Sequence, residues 1–302
     1  MNENKYPLVS DSRDPRFLTL RSLQTPQGRS RTGLYIIEGI RHVVRAIEHQ
    51  APIESVFLDP SVLSNPFGQK LARRLRKRGV PGIRLSRQLY RQLTLAAEPQ
   101  GIGAVMRQQW IPLANVRVAR DSFWLAVESI ESPGNLGTII RTPEAAGVTG
   151  ILMLDSESDP HDPAAVRASM GSLFSQKLTR CSFREFGDWT RSNGVRVVGS
   201  SPSGLLDYKS LRCRFPAALL IGSEKRGLSE RVVEVADFMV RISIRGGCDS
   251  INGFGRGGGP AIRDVRPASG QLDFPSIDVA RRGLDRPGLR KFINNLCKSD
   301  HS

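Results

Sequence analysis

Short apolar runs alternate with stretches that are apolar on one helical face only. Leu34-Tyr35-Ile36-Ile37 reads as a buried strand, and Glu38-Gly39 leads into a helix ending near residue 49. A second strand is predicted at 53–58, a helix at 69–78, a short strand at 83–85, a helix at 87–93 and a strand at 102–106. Before them, Pro15–Gln24 has the spacing of a short helix, with Phe17, Leu18, Leu20 and Leu23 apolar. The stretch Gln27–Gly33 reads as a basic, Gly-bounded loop. Beyond residue 120, strands are predicted at 123–127, 149–154, 195–199, 217–221 and 238–242. Helices are predicted at 135–146, 163–169, 183–193 and 229–236. Strands alternating with helices in both halves predict an α/β protein, the second half being a mostly parallel sheet covered on both faces.

The boundaries follow from the gaps in this rhythm. Residues 1–14 are polar and expected to be a disordered tail. Residues 15–110 form a first domain, 111–121 a linker containing Pro112, 122–252 a second domain, and 253–302 a tail of different character. No apolar run reaches membrane-spanning length, and the first residues lack the apolar core of a signal peptide. Four scattered cysteines without a Cys-x-x-Cys pair, and four unclustered histidines, argue against a metal site and suit a reducing cytoplasm.

Charge adds a function class. The net charge of +15 is uneven. Residues 1–120 carry 20 basic against 8 acidic groups, 121–252 carry 15 against 16, and 253–302 carry 9 against 5. A basic first half beside a neutral second half points to a grip on a phosphate backbone. Arg29 and Arg31, on the expected loop, are candidate RNA contacts. The run Arg73–Arg78 reads equally well as a solvated helix face.

Candidate chemistry centres on Glu128–Thr142. The strand 123–127 ends in a loop broken by Pro133 and Gly134, Asn135 is placed to cap a helix, and Arg141 lies beyond its first turn. A strand-to-helix loop of this kind delivers its residues to the sheet edge where α/β proteins bind ligands. Pro143 falls inside that helix and should kink or shorten it. Gly253–Gly258 fits G-x-G-x-x-G, but no strand runs into it and Pro260 blocks the helix that should follow, so it is no dinucleotide site.

Four stretches in order resemble the signatures of the SpoU (TrmH-like) family of RNA 2′-O-ribose methyltransferases, of the SPOUT superfamily: Glu128–Thr142, Val166–Gly171, Ala218–Leu228, and Val240–Ile244 with Asp249–Asn252. The resemblance spans roughly residues 14–252. It implies a first domain like ribosomal protein L30e that binds RNA, and a second folded as a trefoil knot. It implies S-adenosylmethionine as methyl donor, contacted by Gly222, Ile242 and Ile251. It implies Arg141, Asn135, Glu224, Ser250 and Asn252 as the catalytic set, with rRNA or tRNA as substrate. Gly222 is otherwise a turn glycine, the isoleucines core, Glu224 a surface acid, and Asn135, Ser250 and Asn252 cap or turn residues. A homodimer is expected where the family's last helix is intact.

That helix is missing from the pattern here. After Asn252 the chain reads Gly-Phe-Gly-Arg-Gly-Gly-Gly-Pro, too rich in glycine for an amphipathic helix. Ala261–Arg266 can be encoded so that a one-base shift yields Leu-Tyr-Glu-Met-Phe, close to the family's ending. We therefore read 253–302 as a frameshifted tail, loosely packed and disordered. Two functions of different class follow: an S-adenosylmethionine-dependent RNA methyltransferase, or an inactive RNA-binding protein with a degenerate catalytic domain. On the frameshift reading the chain should dimerise weakly and bind the donor weakly, and a single-base insertion or deletion near codon 253 should restore both. Sedimentation and calorimetry on the two proteins check this; a tight, methylating dimer from the unaltered chain would refute it.

Overall fold

Thr25 and Pro26 open, and Gly33 closes, a helix where a basic loop is expected, and that helix governs how the first half of the chain is built. The structure, a computed structural model, describes residues 6–155, 158–202, 204–207, 213–223 and 226–241. The tail 253–302 lies outside these residues. So do Glu224, Ile242, Ser250, Ile251 and Asn252.

The first half carries strands β1 (Leu8–Val9), β2 (Leu34–Glu38), β3 (Ile53–Leu58), β4 (Gly82–Leu85) and β5 (Ile102–Arg107). Its helices are α1 (Pro15–Ser22), α2 (Pro26–Thr32), α3 (Ile40–Glu48), α4 (Pro66–Lys77) and α5 (Arg87–Arg91). The rest carries β6 (Phe123–Glu128), α6 (Pro133–Ala146), β7 (Gly150–Leu154), α7 (Pro163–Ala168), β8 (Leu178–Cys181) and α8 (Phe183–Asn193). β9 (Arg196–Ser200), β10 (Leu206–Asp207), β11 (Ala217–Ile221) and β12 (Phe238–Arg241) follow. Two compact units result. One holds the described residues up to Gln109 together with Asp159–Ser175. The other holds Trp110–Ser158 and the described residues from Gln176 onward.

The first unit is a sheet in the order β1-β4-β3-β5-β2. β1 and β3 run parallel to β4, while β5 is antiparallel to β2 and β3. One expectation fails at its start. Residues 6–14, read as disordered, are ordered: Leu8 and Val9 pair with Arg84 and Leu85, and Val9 is buried. Two apolar residues give too short a pattern to be seen as a strand, and it is the open edge of β4 that recruits them.

The loop reading of Gln27–Gly33 is also corrected. Thr25 accepts the Gly28 N–H at 3.1 Å, Pro26 supplies a preset φ at N1, and Gly33 ends the helix in the left-handed region at φ 65°. Gly28 sits so close to the Ser22 carbonyl that no Cβ would fit between α1 and α2. The helix turns Arg29 inward, where it is 1% exposed. Its Nε donates to Asp159 at 2.6 Å, Nη2 to Asp162 at 3.0 Å, and Nη1 to the Leu23 and Gln24 carbonyls, each at 3.0 Å. Arg29 is therefore not a free phosphate contact; its N–H groups are committed to the protein. Arg31, on the same helix, is exposed. The two carboxylates start α7: Asp162 caps it through the Ala164 N–H, and Asp159 accepts the His161 N–H. The His161 ring then lies 4.5 Å from that of Tyr35 on β2.

The second unit is a seven-stranded sheet in the order β10-β12-β9-β11-β6-β7-β8, parallel at every described pairing. Its central strands are buried on both faces, hence their near-continuous apolar sequence. Trp124, Leu152, Ala218 and Leu220 pack on one side with Phe186 and Trp189 of α8, the two indoles meeting edge-on at 5.8 Å. β8 and β10, too short and polar to predict, extend the edges. At Glu230–Glu234 a 3₁₀ turn replaces the α-helix expected over 229–236, where Val232, Val233 and Val235 lower helix propensity.

Two outcomes test the Arg29 pairing. Arg29→Met leaves two carboxylates without their cation, and the unfolding free energy measured in urea should fall by about 3–5 kcal/mol. Burial would raise the Asp159 pKa, but hydrogen bonds from His161 and Arg29 outweigh it and hold this carboxyl well below the usual range. A depressed folded pKa gives stability that is complete above about pH 4 and lost as pH falls below it. In the Met variant this acid-induced loss should be smaller.

Candidate functional site

Strand order marks one place on the second sheet. From β6 the chain leaves through α6 toward β7; from β11 it leaves the opposite way, past β9, to β12. β6 and β11 are neighbours, registered from Phe123–Ala217 to Val127–Ile221. By this topology the ligand crevice of an open α/β sheet falls outside their carboxyl ends, at the switch point. Glu128–Asn135 forms one lip, and Gly222, Ser223 and Arg226–Leu228 belong to the other.

Asn135 does not cap α6, contrary to the sequence reading. Ser132 does, its hydroxyl accepting the Asn135 N–H at 3.4 Å, with Pro133 at the first helical position. Both residues suit an N-cap, and Pro133 decides between them, because proline is favoured at N1 and so puts the cap one residue before it. Asn135 sits at the third helical position, half-buried, at the crevice lip. Leu136, Ile139 and Ile140 are buried as their spacing predicts. Arg141 is exposed, about 9 Å further along the axis at 1.5 Å per residue. Among the described residues no carboxylate pairs with it. The helix runs on through Pro143 to Ala146 and closes at Gly147 in the left-handed region.

On the other lip, Gly222 is buried and the loop folds back on itself. The Ser223 N–H donates to the Gly227 carbonyl at 2.9 Å and the Gly227 N–H to the Ser223 carbonyl at 3.0 Å. A Cβ on Gly222 would collide with the Gly227 carbonyl and the Leu228 nitrogen. The glycine is thus required by the loop's own closure.

A charged group that the sequence reading missed braces this edge. Glu128, at the end of β6, is 4% exposed and accepts the Ser229 N–H at 3.0 Å. Arg231 lies 3.6 Å from Glu128 and 3.0 Å from Asp155 at the end of β7, with its guanidinium 5.1 Å from the centre of the Phe183 ring. Ser129 and Asp155, each directly after a strand, take φ values of 54° and 40°, a region uncommon for residues other than glycine. The available signal was an acid closing an apolar strand. Among the described residues no cluster of histidine, cysteine and acids has metal-binding geometry. Burial, with help from Glu185 and Asp155, pushes the Cys181 thiol up to about 12, so it is no nucleophile at neutral pH.

Comparison with known proteins gives the family. The SpoU rRNA Methylase family matches residues 122–253, and an MRM3-like substrate binding domain matches residues 14–104. The match thus ends where the glycine-rich tail begins. The chain is 30% identical over 249 residues to a 23S rRNA (uridine(2479)-2′-O)-methyltransferase of Streptomyces viridochromogenes, covering 80% of this chain and 86% of that protein. It is 24% identical over 245 residues to the 23S rRNA (guanosine(2553)-2′-O)-methyltransferase RlmP of Bacillus subtilis, covering 81% and 93%. The structure of an AdoMet-bound rRNA methyltransferase from Sinorhizobium meliloti superposes with a TM-score of 0.71 at 28% identity, covering 81% and 92%.

The capping assignment has a direct check. Ser132→Ala should cost about 1 kcal/mol in thermal or urea unfolding, and Asn135→Ala clearly less. Gly222→Ala should cost about 1–3 kcal/mol, as overpacking does, because backbone rather than a flexible side chain must move.

Proposed function

The chain belongs to the SpoU rRNA methylase family, and we propose that it transfers the methyl group of S-adenosylmethionine to a ribose 2′-hydroxyl of ribosomal RNA. The observation that carries this reading is the switch point between β6 and β11, where the chain after β11 folds back so closely on Gly222 that main chain, with no room for a Cβ, ends the strand. A strand end bare of side chains suits a ligand held through backbone groups. Gly222, with Ile242 and Ile251 as apolar walls, would hold the donor. The donor supplies a methyl group already activated by its sulfonium. The ribose oxygen bonds to the methyl carbon as the carbon–sulfur bond breaks, the electron pair goes to sulfur, and the hydroxyl proton leaves to water.

The protein's part is placement and charge. A guanidinium is not a general base in proteins, so the role left for Arg141 is electrostatic. Exposed and unclaimed by an acid among the described residues, it is suited to grip the target's phosphate and stabilise the developing alkoxide. Asn135 shapes the lip from the first turn of α6. Glu224, Ser250 and Asn252 complete the proposed set. The first unit binds the RNA, with Arg31 rather than Arg29 as the contact from α2. A knotted second domain, a homodimer and a cytoplasmic setting complete the reading. None of the described helices is long and apolar enough to cross a membrane. The glycine-rich break after residue 252 favours one other reading, an inactive RNA-binding protein.

Incubation of the purified chain with methyl-labelled S-adenosylmethionine and 23S rRNA, followed by mapping of 2′-O-methyl groups, tests the proposal. Label in a ribose supports it; RNA binding without transfer selects the inactive reading. Arg141→Ala should abolish transfer while donor affinity measured by calorimetry stays within a few-fold, and Arg141→Lys should recover little, since an ammonium lacks the bidentate fork. Arg31→Ala should flatten the salt dependence of RNA binding by about 1 in slope.

A further inference from the structure

We infer that the pocket bounded by Tyr6, Arg73, Arg76 and Arg84 in the first unit is a docking site for the phosphodiester backbone of the RNA. The inference rests on the RNA-methylating function proposed above and assigns the part of the chain that grips the substrate away from the reacting ribose. The pocket measures about 450 Å³. α4 turns Leu71, Ala72 and Leu75 into the core, and its register carries Arg73 and Arg76, one turn apart, to the pocket wall.

The opposite wall is built to hold still. Tyr6 donates its hydroxyl to the Val80 carbonyl at 2.8 Å, and its own carbonyl accepts Arg84 Nε at 2.7 Å. Arg84 is thereby oriented through one nitrogen. Gly82 leaves the room that the Tyr6 ring occupies: a Cβ there would stand 2.9 Å from Tyr6 Cε2. Arg76 Nε is buried and has no hydrogen-bond partner among the described residues. A buried donor without an acceptor is costly, and an anion entering the pocket would supply one.

Charge partition points the same way. Elsewhere in the unit Arg13, Arg16, Arg29, Arg45 and Arg107 each sit against an acid. Among the described residues none pairs with Arg73, Arg76 or Arg84. Asp59, the nearest acid in sequence to the lining Leu58 and Pro60, is buried; its Oδ1 accepts from Ser61, and its Oδ2 has no hydrogen-bond partner among the described residues. Three guanidiniums around one pocket repel one another, and no described acid is ion-paired with any of them. Arg74, Lys77 and Arg78 continue the positive charge along the exposed side of α4, which at 12 residues is about 18 Å long. That length exceeds a single phosphate and fits a run of them, which selects a nucleic-acid backbone over a free anion.

The test uses the full chain, a 23S rRNA transcript, and inorganic phosphate as the small probe. The double variant Arg76→Gln with Arg84→Gln should flatten the plot of log affinity against log salt by about 2, near 0.9 per lost phosphate contact. Arg13→Gln, taken from an exposed ion pair, should leave the slope unchanged. Arg76→Lys with Arg84→Lys keeps the charge and should keep most of the slope. Unchanged donor binding and melting temperature in every variant confirm folding. A folded double variant with the parental slope overturns the inference and leaves the methyltransferase reading standing. Protection of the parent by phosphate, lost in the double variant with no change in RNA slope, marks a free-phosphate site and also overturns it. A parent that neither binds the transcript with salt dependence nor methylates it overturns the RNA reading and this inference together.

Discussion

A guanidinium withdrawn from water must find acceptors for its N–H groups, and Arg29 finds them in two carboxylates from residues 130 and 133 positions away and in two carbonyls of its own neighbourhood. Much of the first unit depends on that requirement. It fixes the start of α7, because Asp162 both pairs with Arg29 and caps the helix. It brings His161 onto Tyr35 and so seats α7 against β2. It explains why a segment from late in the chain completes a unit built mainly from the first hundred residues. The burial of one charge is tolerable only because the geometry is nearly fully satisfied; removal of either side would leave an uncompensated ion.

In the second unit the governing constraint is chain direction. A parallel sheet forces every connection across a face, and the chain leaves β6 and β11 in opposite directions, which makes their ends the switch point of the sheet. Three described features of that edge arise from its own folding. Ser132 caps a helix, Gly222 yields to a loop that closes on itself, and Arg231 bridges the acids that end two neighbouring strands. Chemistry and fold are hard to separate at such an edge, since the residue that shapes the crevice is often the one that closes the loop.

Positive charge has two fates in this protein. Where an arginine faces an acid it is structural, as Arg29 is, however much its sequence context suggests an RNA contact. Where the acids are already engaged it remains available, as along α4. Counting charges in the first 120 residues could reveal the excess and its sign. The count could not say which cations supply it, because that depends on which carboxylates fold to within about 3 Å of them.

Periodicity, punctuation and motif order were legible in the sequence itself. The strands of both sheets except β1, β8 and β10, the buried face Leu136-Ile139-Ile140, the helix at 183–193 and the family resemblance all followed from local patterns, since strand and helix periods are set by backbone geometry. The N-cap at Ser132 and the helix at 26–32 were written in the chain too, in Ser-Pro and in Thr-Pro with Gly33, and a stricter reading of capping signals would have found them. Only the tertiary structure could decide the rest. Leu8 and Val9 are a strand because β4 has a free edge. Arg29 is buried because Asp159 and Asp162 arrive from far along the chain. Glu128 is a brace because Arg231 is folded beside it. Each of these outcomes depends on which distant group becomes a neighbour, and a partner in space leaves no mark in the sequence on either side of the residue that needs it.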